Sequence, residues 1–539
     1  MDNPVAFTVV VLSMVLTFFV SWYSRRWTRT TVEFYVAGGQ IPWRVNAAAM
    51  FGDYCSAASF LGVAGAIALG GIDSWWLAVG FFAAWVVVVL VLAGPLKNAG
   101  RFTVGDVLAA RFEGSAVRIM AMLGTVVLCT LYLVPQMVGA GHLFQLLLGW
   151  DYVTTVLVTG SLMAAYVILG GMRGTTYNQA IQGLMLGGAM LLIFVLVTSM
   201  YFGANPVKIF TVGREAIPPS VAVEVAPQVL QAYPPETKMT DHMGAVAMAR
   251  SLMPDASSAI TPGVGLKDVW NQMSLVLGLF FGVVGLPHIL IRFYTVRDAR
   301  AAVKSAEATI AGLAVFYITV MLVGLAAMAV LYPVLMELLA AGKKGAATNL
   351  AVPLLGKMLG GEVLLGIIIA GALAAMLSTA SGLLISATTS LAHDLYAGVI
   401  RPQSSDRERL IFAKACAGLL ALIAIVLAFY LKNQNVAVLV GMAFGIAAST
   451  FAPVLVAAVW WKRLTEEGVI AGFSVGLVVS LLYTFANYFA VPSLLGLPVL
   501  INPALYSLPA AVVAMVVVSY LTGNTGKAEE FMATVHRGG

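Results

Sequence analysis

Charge is what this sequence has least of. Asp, Glu, Lys and Arg make up 10% of its 539 residues, and only five residues are histidine. A soluble chain of this length needs a far more polar surface, so the net charge of +6 does not point to nucleic acid. Cysteine is almost missing too. Cys55, Cys129 and Cys416 fall inside apolar runs and read as small core residues, not as a disulfide framework or a metal set. No Cys-x-x-Cys, His-Glu-x-x-His or Cys/His cluster occurs, so a catalytic metal has no support. What abounds is hydrocarbon: 60% of residues are hydrophobic, 53 are glycine, and the mean hydropathy is +0.94. Most of the outer surface must therefore face lipid, where glycine lets helices approach closely.

Runs of about 20 apolar residues, the length that crosses a bilayer, recur thirteen times. The first, near 5–23, lacks the basic leader and small-residue cleavage site of a signal peptide, so it is expected to remain as a helix. Most of the 30 basic residues fall in alternate loops, from Arg25 and Arg26 through Arg111 and Arg292 to Lys462 and Arg463. The positive-inside rule then puts the N-terminus outside and the C-terminus in the cytoplasm. The expected organisation is an extra helix and basic cytoplasmic loop over 1–44, five helices over 45–202, and a proline-rich extracytoplasmic loop over 203–268 with a short helix around 240–252. Five more helices follow over 269–460, then two C-terminal helices over 461–521 and a polar cytoplasmic tail over 522–539.

Two spans look broken. The run Phe51-Gly52-Asp53-Tyr54-Cys55-Ser56 puts Asp53 near the bilayer midplane, where a carboxylate costs several kcal/mol unless paired or wetted. It marks either a functional site or the cap of a broken helix end. Such a break frees carbonyls for a cation and N–H groups, around Ser56–Ser59, for an anion. The run Gly285-Leu286-Pro287-His288 predicts a second discontinuity, because proline removes a helical hydrogen bond. His288 beside it is a packing or hinge residue, a ligand or a proton relay. Five spans separate the start of one broken unit from the next, and five is odd, so the second unit runs with opposite polarity. Inverted repeats that begin with broken helices place a site at the midplane. Near the middle of span nine, Ser378-Thr379 offers hard oxygens to sodium, or else bonds back to the preceding turn.

These stretches resemble the sodium:solute symporter family over nearly the whole chain, and within it the bacterial acetate permease (cation:acetate symporter) branch. The resemblance is carried by Gly52 through Gly62, Gln136-Met137-Val138-Gly139-Ala140-Gly141, Gly285 through Phe293, His393-Asp394-Leu395-Tyr396 and Asn433-Gln434-Asn435. It implies an all-α integral membrane protein of the bacterial inner membrane, with a leucine-transporter-like 5+5 inverted repeat. It also implies a sodium site at the carbonyls of Gly52, Cys55 and Ala375 and the hydroxyls of Ser378 and Thr379, with protons as the alternative coupling ion. A carboxylate that several members carry on the fifth core helix is replaced here by Gln179, which weakens the attraction for a departing cation.

A small monocarboxylate such as acetate, propionate or pyruvate needs an anion-binding feature and a small apolar pocket. Ser56, Ser59, Gln136, Pro287, His288, Phe444 and Ser449 are the expected neighbours. Asp53 is expected to pair with the cation or carry a proton in the loaded state, because an unpaired charge would repel the substrate. Membrane lipid is an expected partner, and the branch brings in a small membrane accessory subunit. The competing readings are a sodium symporter of proline, pantothenate or sugar, and a transporter-like membrane sensor. No nucleophile accompanies Asp53 and His288, so the chain is not expected to be an enzyme.

Overall fold

Backbone in lipid must satisfy its own hydrogen bonds, and these apolar runs do so as helices. A computed structural model describes residues 3–27, 30–100, 102–112, 114–210, 268–432 and 434–537. In chain order the main helices are α1 (Pro4–Ser24), α2 (Trp43–Tyr54), α3 (Ala58–Gly70), α4 (Ile72–Ala99), α5 (Val104–Arg111), α6 (Ser115–Leu148) and α7 (Tyr152–Tyr201). Beyond the long loop come α8 (Val269–Val284), α9 (Pro287–Leu290), α10 (Ala299–Ala340), α11 (Ala351–Ser390), α12 (Asp406–Tyr430) and α13 (Val436–Ser449). The last four are α14 (Phe451–Trp460), α15 (Glu466–Tyr488), α16 (Ala504–Leu521) and α17 (Ala528–Val535).

Eleven stretches of the described residues are long and apolar enough to cross a membrane, and α2 with α3 makes a twelfth. The remaining expected span, 152–170, is the shorter apolar segment Tyr152–Ala165. It continues into the next span as one 50-residue helix, α7, that turns at Gly171 with φ 55°, a conformation open to glycine. Of the loop over 203–268, residues 211–267, including the short helix expected around 240–252, lie outside the described residues.

Both expected breaks are present. α2 ends at Tyr54, Cys55 leaves the helical region with ψ 82°, and α3 sets off at 61° to α2. α8 ends at Val284, Leu286 is extended, and Pro287 opens α9, where its missing N–H costs nothing. The two breaks are held in the middle of the bundle by α7, α10 and α11, whose faces toward them are buried. The tail differs from the polar segment expected. Apolar residues sit on one face of α17, so Phe531, Met532 and Val535 are buried against the protein, and the Lys527 N–H donates to Arg111 O at 3.0 Å.

α2 and α7 cross with their backbones in contact. A Cβ on Gly52 would strike the backbone of Gln179 and Gly183, and one on Gly183 would meet Ala48 O and the backbone of Gly52. Gly52→Ala is therefore expected to cost about 1–3 kcal/mol, as overpacking does, and to lower the Tm of the detergent-purified protein. Gly188→Ala, where an added Cβ meets open space, is the control and should leave the Tm unchanged or raised; equal Tm for the two variants would contradict the close crossing.

Candidate transport site

The two broken spans meet at their breaks through a buried ion pair. Asp53, one residue before the end of α2, and Arg292, in the turn Ile291–Thr295 after α9, are both 0% exposed. Arg292 Nε donates to Asp53 Oδ2 at 3.0 Å, Nη1 to Thr176 Oγ1 at 2.8 Å, and Nη2 to Gln179 Oε1. Sequence reading assigned Arg292 to an inside loop; the structure corrects this. After Pro287 the chain coils back into the protein, so that Ile289, Leu290, Ile291 and Phe293 are buried with the arginine. A lone buried charge costs several kcal/mol, and a carboxylate with two further acceptors offsets that cost. Asp53 Oδ1 has no partner among the described residues, and a Cβ on Gly382 would land on the same carboxylate.

Beside this pair, α11 turns its hydroxyls onto the carbonyls freed by the end of α2. Ser378 Oγ lies 2.6 Å from Gly52 O and 2.8 Å from Ala375 O. Thr379 Oγ1 donates to Asp53 O at 2.6 Å. The structure therefore gathers Gly52, Ala375, Ser378 and Thr379, with Cys55 capping α2 alongside, and adds the Asp53 carbonyl, which sequence reading missed. A hydroxyl oxygen carries two lone pairs besides its proton. With the two protons turned away, these atoms form an all-oxygen set suited to a hard cation. Gln179 Nε2 donates to Ser378 O at 2.7 Å, so the amide that replaces the family's carboxylate joins the hydroxyl segment to Arg292.

On the other side of the α2–α3 break lies a buried aromatic cluster. Its members are Tyr54, Phe81, Tyr132, Tyr317 and Phe444, each buried; Phe444 meets Phe81 and Tyr132 edge-on at 5.2 and 5.4 Å. Ser59 Oγ lies 2.9 Å from Tyr317 OH, and Tyr132 OH donates to Ser56 Oγ at 3.4 Å. The N–H groups expected to hold an anion already have partners: Ser56 N–H bonds Tyr54 O, Ala57 N–H bonds Gln136 Oε1, and Ala58 N–H bonds Ser56 Oγ. Unpartnered polar atoms are found instead on side chains, where a neutral imidazole offers one donor and one acceptor. Gln136 Nε2 and both ring nitrogens of His288 are buried without a partner among the described residues, and the His288 ring stands 5.4 Å from that of Tyr132. Pro287 starts the helix that presents His288. Ser449 is not brought to this cluster: its hydroxyl bonds Gly445 O at 2.8 Å and Ser507 Oγ at 2.6 Å, toward α16.

The remaining quoted motifs make other contacts. His393 Nε2 lies 2.9 Å from Asp106 Oδ1, and Asp394 accepts from the hydroxyls of Thr103 and Ser390, tying the end of the α11 span to α5. Burial works against the Asp106 charge, but the His393 bond, the Phe102 N–H and Arg118 together hold its carboxyl below the usual range. Asn435 caps α13 by accepting from Ala437 N at 2.7 Å; Asn433 lies outside the described residues. Tyr132, Thr176 and Tyr317 carried no signal of their own. Arg292 did: it is a lone base five residues past Pro287 in an otherwise apolar run.

Removing one partner of a buried pair costs about 3–5 kcal/mol. Asp53→Asn and Arg292→Gln are each expected to lower thermal stability in detergent strongly. The double variant should lose clearly less than the sum of the two, which a double-mutant cycle of unfolding measures. Additive losses would show that the two side chains do not depend on each other.

Comparison with known proteins identifies the family and the fold. The sodium:solute symporter family matches residues 34–476. The uncharacterized symporter YwcA of Bacillus subtilis (strain 168) is 37% identical over 480 residues, which is 89% of this chain and 85% of that protein. A Na+-coupled sialic acid symporter, solved substrate-bound and outward-open, shares the fold with a TM-score of 0.72 at 18% identity, over 96% of this chain and 98% of the other. The fold is thus that of the leucine-transporter type. The chain belongs to the sodium:solute symporter family, a family of multi-pass membrane transporters and not of enzymes.

Proposed function

We propose that this symporter imports a small monocarboxylate, with acetate the first candidate and propionate and pyruvate its neighbours, together with Na+ by alternating access. The observation that carries the substrate class is the pair of buried side chains with nitrogens unpartnered among the described residues, Gln136 at the α2–α3 break and His288 against the ring of Tyr132. A carboxylate is an acceptor-only group that answers such donors, and the apolar rings beside them suit a tail of few carbons. Asp53 does not oppose an anion here, because Arg292 balances its charge within the protein.

Sodium as the coupling ion is supported by the oxygen set of Gly52, Asp53, Ala375, Ser378 and Thr379 and by the Na+ coupling of the sialic acid symporter that shares the fold. Entry of a cation with the anion also offsets the penalty of moving negative charge into a negative interior. In this reading the N-terminus is outside and the C-terminus is in the cytoplasm of a bacterial inner membrane, so the basic loops stay inside.

Uptake of labelled acetate into proteoliposomes of the pure protein separates the possibilities. An inward sodium gradient is expected to drive accumulation, and Ser378→Ala/Thr379→Ala to abolish it. Uptake driven by a pH gradient alone would remove the sodium assignment. No uptake of acetate, propionate or pyruvate under either gradient would move the substrate to another solute. Gln136→Leu is expected to raise the KM for acetate about tenfold or more, since a hydrogen bond to a charged group contributes about 1.5–3 kcal/mol; an unchanged KM would remove Gln136 from the site.

A further inference from the structure

We infer that the crevice between α4, α10, the end of α14 and the C-terminal tail binds an anionic phospholipid. It is a cavity of about 470 Å3 whose lining shares no residue with the transport site, and its walls divide by chemistry. One side is hydrocarbon: Val89 and Leu90 of α4 and Trp460 of α14 line it, with Leu90 73% and Trp460 52% exposed on segments that cross the membrane. The other side is cationic. Arg300 and Lys304, four residues apart on the first turns of α10 and so on one helix face, converge there with Arg537 of the tail. All three are exposed. Among the described residues none of them forms an ion pair, and Glu307 is the one carboxylate in the lining.

The tail is fixed in place to complete the crevice. Asn98 Nδ2 donates to Val535 O and to Arg537 O, each at 3.0 Å. His536 Nε2 lies 2.9 Å from Val459 O, and its ring stands 4.5 Å from that of Trp460. The Trp460 indole N–H donates to Val91 O at 3.0 Å, which holds the aromatic wall against α4. A basic pocket between membrane helices is a site for an anionic headgroup. Three cations against one carboxylate suit a phosphodiester, and the exposed Leu90 and Trp460 suit the acyl chains that run from it into the bilayer. Free phosphate would use the cations and leave that apolar wall unanswered, so the occupant is the lipid.

The full chain in phosphatidylcholine nanodiscs, with trace spin-labelled phosphatidylglycerol or spin-labelled phosphatidylcholine, reports the relative affinity from the immobilised fraction of each probe. Phosphatidylglycerol is expected to be preferred at low salt. Each of Arg300→Gln, Lys304→Gln and Arg537→Gln should reduce that preference about fivefold, and Glu307→Gln should increase it. Three outcomes would overturn the site: a preference that survives the triple replacement, an equal loss on neutralising Arg407 and Lys414 outside the crevice, or displacement of the lipid by inorganic phosphate at the same headgroup concentration.

Discussion

The charge on Asp53 can exist in the middle of this bundle only because Arg292 reaches it. Neither residue is exposed, and the two come from the two interrupted spans, 239 positions apart in the chain. Each break leaves polar backbone that lipid would not tolerate, so both must be enclosed by other helices. The ion pair and its two side-chain acceptors on α7 join one break to the other inside that enclosure. The glycines around it follow from the same constraint. Gly52 and Gly183 let α2 lie against α7, and Gly382 leaves space for the Asp53 carboxylate.

From this junction the rest of the proposed site is reached through hydrogen bonds and ring contacts. Gln179 touches Arg292 on one side and Ser378 O on the other. Ser378 and Thr379 touch the carbonyls of Gly52 and Asp53. One residue past the break, the Ser56 hydroxyl meets Tyr132, and Tyr132 meets His288 and Phe444. In the proposed cycle a cation that draws α11 and α2 together also sets the α2–α3 junction, and with it one side of the proposed carboxylate site. That shared segment provides the physical contact through which two ligands can change each other's affinity.

The sequence made the breaks legible because Gly-x-Pro and a carboxylate in an apolar run each violate a local rule. It made Ser378 and Thr379 legible only through family resemblance, since hydroxyls in membrane helices also bond the preceding turn. Counting basic residues assigns Arg292 to a loop and passes over the signal that could have found it, its place in an apolar run five residues past Pro287. The anion donors were placed on the backbone, where a broken helix exposes them. Gln136 and the Ser56 hydroxyl take those N–H groups, a long-range and a local contact that periodicity does not encode. The docked α17 was hidden by its short length and its polar flanks.

In the proposed mechanism one bonded segment, Gly52 to Ser56 against Ser378 and Thr379, couples a sodium site to a carboxylate site. Equilibrium binding of labelled sodium to the purified protein, with and without saturating acetate, tests it most directly. Acetate is predicted to tighten sodium binding, and Ser378→Ala/Thr379→Ala to abolish both the binding and its response to acetate. Sodium binding that ignores acetate, or that survives loss of both hydroxyls, would contradict the account.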